Sequence, residues 1–214
     1  MYHFVFAANL LISFPLPIFS LFVLFAIWYS IKRSSNKRKE DAARDSFWER
    51  ETKANLTRAV PLDEIHYVAI PLDTLPSGDT SDDVLTECEE ELHSLSQTRI
   101  LNLTGLSNTD VKMKYGAANL ATLTECDNAF TQLCRVLDRM GQRLYELGRT
   151  DDAVCVLSYA VSIESDVSTT YATLANVYRA NGQEAEISGL IRSAESLRSI
   201  SRHAILRLLE EQPN

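Results

Sequence analysis

The chain has 214 residues, 21 of them basic and 29 acidic, a net charge of −8, 45% hydrophobic residues, and only seven glycines and six prolines. The hydrophobic content is that of an ordinary globular protein, and the scarcity of glycine and proline favours helices. The acidic balance argues against a nucleic-acid binder, because an acidic domain repels phosphate backbones.

From Phe4 to Ile31 there is no Asp, Glu, Lys or Arg, and Lys32, Arg33, Lys37, Arg38 and Lys39 follow at once. A bilayer core about 30 Å thick is crossed by roughly 20 apolar residues in a helix, so this run predicts a transmembrane anchor over residues 1–31. Pro15 and Pro17 break or kink it, which places the span at Pro17–Ile31 plus a turn or two upstream, with Trp28 and Tyr29 at an interfacial belt. A buried core helix and a cleaved signal peptide are the alternatives. The second is disfavoured because no Lys or Arg precedes the run and no small-x-small site closes it. The basic residues after the span predict a single-pass protein with a short N-terminus outside and a cytoplasmic C-terminal domain.

All 29 acidic residues follow Lys39, and five of the 21 basic residues precede Glu40, which leaves the remainder at about −13. Residues 32–58 read as a basic juxtamembrane cluster and a helical stalk that carries Phe47 and Trp48. Residues 59–80 read as extended or irregular chain. Val60-Pro61-Leu62-Asp63 and Ile70-Pro71-Leu72-Asp73 form a repeated tetrapeptide pattern, and each proline holds its predecessor extended. Tyr67, Ile70, Leu72 and Leu75 would clamp this segment over the helices. Residues 81–134 form the helical N-terminal part of the soluble domain. The turn Ser77–Asp83 caps a helix that begins near Ser81 or Asp82, with Val84, Leu85, Cys88, Leu92 and Leu95 on one face, and Ser107, Asn108 and Thr109 offer caps for another. Cys88, Cys126, Cys134 and Cys155 form no CxxC pair and read as small buried hydrophobes.

The last third is periodic. Leu137 and Tyr171, Met140 and Leu174, Gly141 and Ala175, Leu144 and Tyr178, Gly148 and Gly182, Ala153 and Ile187, Leu157 and Ile191, and Ala160 and Ala194 are all separated by the same interval. Small residues at Gly141/Ala175 and Ala160/Ala194 let two helices of one unit approach, and Leu144/Tyr178 and Leu157/Ile191 fill the seam. Gly148 and Gly182 suit the left-handed end of a helix, and Thr150-Asp151-Asp152 offers a cap for the next. The shared interval is the tetratricopeptide period of roughly 34 residues, and the pattern resembles two such repeats at Leu137–Ser165 and Tyr171–Ser199. They fall within residues 135–199, with a capping helix over 200–214. Leu137 replaces the family's usual aromatic, Ile187 replaces an alanine, and Ser165 and Ser199 stand where a proline often ends a unit. The overall layout resembles bacterial membrane-anchored proteins, which implies no activity. The fold expected is mainly α: an N-terminal transmembrane helix, then a repeat domain with an irregular or extended segment packed on it.

No catalytic constellation is visible. His3, His66, His93 and His203 are scattered, and Cys88 and His93 stand about 140° apart on a helix. There is no phosphate loop and no G-x-S-x-G elbow. No cofactor, metal or small-molecule substrate is expected, and the chain reads as non-catalytic. The resemblance implies that the first helix of each unit lines a groove for a protein or peptide. Its lining would be Arg135, Asp138, Gln142 and Tyr145, then Ala172, Asn176 and Arg179. Arg135 and Arg179 would clamp a carboxylate, and Gln142 and Asn176 would bind peptide backbone. The expected function is a membrane-anchored, non-catalytic scaffold. The alternatives are a structural subunit of a membrane complex that makes its specific contacts through the span, and an unrecognised enzyme on an all-helical scaffold.

Overall fold

A computed structural model describes residues 15–77 and 81–211, the first four of them by backbone alone. The described residues form eight α-helices and no strand: α1 (Pro15–Asn55), α2 (Asp83–Ser96), α3 (Asn108–Tyr115), α4 (Leu120–Glu146), α5 (Thr150–Ser162), α6 (Ser168–Ala180), α7 (Glu184–Ser196) and α8 (Arg202–Glu210). The chain divides into two units, Met1–Lys53 and Ala54–Asn214.

The first unit is nearly all α1, an unbroken helix of 41 residues. Pro15 and Pro17 fall in its first turn, where a missing N–H costs nothing. Phe25 stacks near Trp28 and Tyr29, with ring centroids 5.8 and 6.2 Å away, and Lys32 Nζ lies 4.9 Å from the Trp28 ring. The large apolar side chains from Phe19 to Ile31 are exposed.

The expected transmembrane helix is overturned. Phe4–Phe14 lie outside the described residues, and among the described residues no helix is long and apolar enough to cross a membrane. Length is the physical reason. Pro15 to Ile31 rises about 25 Å at about 1.5 Å per residue, short of a bilayer core of about 30 Å, and Lys32 continues the same helix. The single-pass assignment goes with it, and so do the orientation drawn from the basic cluster and the cytoplasmic placement of the C-terminal part. The mainly α class stands without a transmembrane helix.

The second unit holds three apolar cores. One joins Leu85, Cys88, Leu92 and Leu95 of α2 to Phe130, Leu133, Leu137, Met140 and Leu144 of α4, and to Ala153, Val156 and Ala160 of α5. The spacing of these residues follows the helical period, so each helix presents one apolar stripe. The segment before α2 packs on this core through Val68, Ile70, Leu72 and Leu75. A second core gathers Leu157 of α5, Tyr171, Leu174, Ala175 and Tyr178 of α6, Ile187, Leu190 and Ala194 of α7, and Ile205 and Leu209 of α8. A third lies under α3 and the start of α4, where Leu101, Leu103, Val111, Leu123 and Cys126 meet Leu62, Ile65 and Tyr67.

Two caps behave as local chemistry dictates. Asp82 accepts hydrogen bonds from Val84 N and Leu85 N, both 3.1 Å, at the start of α2. Ser107 and Asp110 form a reciprocal capping box at α3. The cap expected from Thr150 is not made. Arg149 holds the N-cap position of α5 without a side-chain cap bond, and its guanidinium pairs with Asp152 at 2.7 Å.

Candidate functional site

Helix boundaries and closing turns between α4 and α8 recur at the period seen in the sequence. α7 begins and ends one period after α5, at positions 184 against 150 and 196 against 162. α8 begins one such step after α6, at position 202 against 168. The closing turns match bond for bond. Gly148 N donates to Tyr145 O (3.0 Å) and Arg149 N to Leu144 O (2.9 Å). One period on, Gly182 N donates to Arg179 O (3.1 Å) and Gln183 N to Tyr178 O (2.8 Å). Both glycines are left-handed, with φ of 76° and 67°. Within the first pair the helices are close enough that a Cβ added at Gly141 would lie 2.3 Å from Leu157 Cδ2.

The seven residues expected to line a groove fall on one stripe of α4 and one of α6. The structure divides them by what they already hold. Asp138 accepts 2.8 Å bonds from the hydroxyls of Thr169 and Thr170 in the first turn of α6. That turn has no side-chain cap of its own, and a carboxylate at a helix N-terminus also meets the positive end of the dipole. Gln142 Oε1 accepts from Thr173 Oγ1 at 2.9 Å, and Gln142 Nε2 donates to Thr169 O at 3.3 Å. Arg179 Nη2 donates to Leu209 O at 2.7 Å and Glu211 O at 3.4 Å, which places a cation on the last carbonyls of α8. These three side chains lock α4 to α6 and α6 to α8.

Arg135, Tyr145 and Asn176 remain exposed, and Ala172 is half-buried. Of the two arginines expected to clamp a carboxylate, only Arg135 has its guanidinium unengaged among the described residues. The segment around Pro61–Leu75 lies elsewhere. Tyr159 Oη of α5 donates to Ala69 O at 2.9 Å, Cys155 Sγ sits 3.5 Å from Thr74 O, and Val68 N donates to Ile100 O at 2.8 Å. The strap therefore packs on the second helix of the first pair.

Sequence reading missed two long-range polar clusters. Arg143 Nε and Nη2 donate to Asp82 Oδ2 at 2.9 and 2.7 Å, and Arg143 Nη1 pairs with Glu146 at 2.9 Å. The guanidinium holds the Asp82 carboxyl below its usual range, helped by the two cap N–H groups. Arg139 donates to Glu91 at 2.6 Å and to Cys88 Sγ at 3.2 Å. No local spacing signals the links to Asp82, Glu91 and Cys88, because these partners stand 48 to 61 residues away.

The cysteines are all free, and Cys88, Cys126 and Cys134 are buried as expected. Cys155 departs from the expectation and is exposed beside the strap. Burial raises the Cys88 thiol and pushes Cys134 up to about 11, so neither has thiolate character at neutral pH. Burial likewise pushes the Tyr159 phenol up to about 12, which keeps it a neutral donor to Ala69. Among the described residues no group of three His, Cys, Asp or Glu side chains is placed to hold a metal ion. Comparisons of the chain with family models, curated proteins and solved structures return no significant match.

Proposed function

We propose that residues 120–211 form a non-catalytic helical-repeat scaffold of tetratricopeptide type that presents a protein- or peptide-binding surface on its first-helix side. The observation that supports this reading most is the recurrence of one helix pair after a single period, closed both times by the same two hydrogen bonds around a left-handed glycine. A pair of this kind buries its apolar face only by stacking on neighbours, and the stack leaves a continuous surface of first helices.

On that surface Asp138, Gln142 and Arg179 serve the lock between helices. The residues left to meet a partner are Arg135, Tyr145, Ala172 and Asn176. A guanidinium, a phenol and a carboxamide around a small residue suit an extended peptide, with the arginine toward a carboxylate and the carboxamide toward backbone. The test is photo-crosslinking from a benzophenone amino acid placed at Asn176 or Tyr145, with Ser196 as a control position. The expected result is a discrete adduct from 145 and 176 that is absent from 196 and disappears with Arg135→Glu. Equal labelling from all three positions, or adducts indifferent to Arg135→Glu, would sink the proposal.

A further inference from the structure

α5 and α7 carry equivalent positions one period apart, and among the described residues only those on α5 are covered. On α5, Val154 and Leu157 pack into the core that α7 completes, and Leu157 is fully buried. Their counterparts on α7, one period on, are Ser188 and Ile191. These line an open groove of about 470 Å³ between α7 and α8, floored by Ile187 and Leu209 and rimmed by Glu184, Glu210 and Arg179. Ile191 is only half-buried there.

We propose that this groove binds an amphipathic helix with basic flanks, supplied by a partner protein. Shape is the first argument. Val154 and Leu157 of α5 share one core with Ile187, Leu190 and Ala194 of α7, while Leu157 also presses on Gly141 of α4, so the equivalent place beside α7 and α8 fits one further helix. Charge is the second. The Arg179 guanidinium is turned to the carbonyls of Leu209 and Glu211, and neither Glu184 nor Glu210 has an ion pair among the described residues. The rim thus carries two such carboxylates against one guanidinium already held by carbonyls, a net negative charge that favours cationic flanks. The same charges oppose a second copy of this chain, since a twofold pair on this groove would bring each rim against itself.

The test is fluorescence anisotropy of the full chain with a labelled peptide of the α7 sequence, Glu184–Ser196, carrying Glu184→Lys, Glu186→Lys and Glu195→Lys. The unmodified α7 peptide is the charge control. The lysine peptide should bind, and the control should bind at least about tenfold more weakly. In the chain, Ile191→Asp should weaken the lysine peptide by at least about tenfold. The double variant Glu184→Gln with Glu210→Gln alters only the rim, and should weaken binding and flatten its salt dependence. Arg135→Glu on the other surface should leave this binding unchanged, so failure here is distinguishable from failure of the proposed function. No binding, equal binding of the two peptides, or wild-type affinity in both chain variants would overturn the inference. A homodimer in sedimentation equilibrium that Ile191→Asp dissolves would also overturn it and give the groove to a second copy.

Discussion

Glu164 occupies a left-handed position that glycine fills twice elsewhere. Its φ is 63°, its N–H donates to Val161 O at 3.0 Å, and Ser165 N donates to Ala160 O at 3.0 Å. This is the same closing turn as at Gly148 and Gly182, made by a residue with a Cβ. Left-handed backbone costs a non-glycine about 1–2 kcal/mol, and glycine gives back part of that through its freer unfolded state. Glu164→Gly should therefore raise stability by about 0.5–1 kcal/mol, read as a higher urea midpoint with an unchanged slope. The exposed Glu164–Arg198 pair, 3.8 Å apart, is too weak to reverse that sign. Asp82 makes a pH-dependent contribution. Its folded carboxyl titrates below its ordinary value because of Arg143 and two backbone N–H groups, so its stabilisation is present above the unfolded value near 3.9 and is lost as pH falls through the folded one. Asp82→Asn keeps a capping oxygen and removes the charge. Chemical denaturation should show it less stable than the parent at pH 7, with the two converging as pH falls through the folded value of Asp82.

At the scale of elements, helix pairing in the first repeat turns on one missing side chain. A Cβ at Gly141 would stand 2.3 Å from Leu157 Cδ2 and 2.5 Å from its Cγ, and Leu157 is fully buried with nowhere to move. Alanine improves helix propensity by about 1 kcal/mol, but overpacking costs about 1–3 kcal/mol. Gly141→Ala should be net destabilising, by up to about 2 kcal/mol. Leu157→Ala alone should cost about 2–5 kcal/mol, and the double variant should cost clearly less than the sum of the singles. An additive cycle would mean that α4 and α5 do not meet at these residues. Gly141 was legible as a small residue at a helix crossing, because the repeat period pairs it with Ala175. That Leu157 is the side chain pressed against it became visible only once α5 was folded back.

At the scale of the whole molecule, the described chain is a long helix followed by a helical domain with its own cores. Residues 54–214 hold all three apolar clusters. A fragment of residues 49–214 should therefore unfold in one cooperative transition, with a Tm within about 3 °C of that of the full chain by circular dichroism. A loss of cooperativity would show that the first unit contributes to the fold of the second. The apolar run before Lys32 illustrates why composition and architecture part company. Its lack of charge was plain in the sequence, yet crossing a bilayer requires an uninterrupted apolar length of helix, and the described apolar stretch does not reach it.

What the sequence by itself determined is what local rules control: helices rather than strands, a capped helix start near Asp82, a fixed repeat step, and left-handed closures at Gly148 and Gly182. Propensity, period and turn chemistry act over a few residues and can be read from neighbours along the chain. The tertiary structure decided which polar groups on the first-helix surface are already engaged. Asp138 and Gln142 look like Arg135 and Asn176 in sequence. They differ because Thr169, Thr170 and Thr173, distant along the chain, come within hydrogen-bonding distance only when α6 packs on α4. It also decided that Cys155 faces out beside the strap, that Asp82 is paired with Arg143, and that Ile191 lines a groove while its counterpart Leu157 is covered. Each of these depends on a partner far along the chain, and closing such distances is the work of packing, which local sequence does not encode.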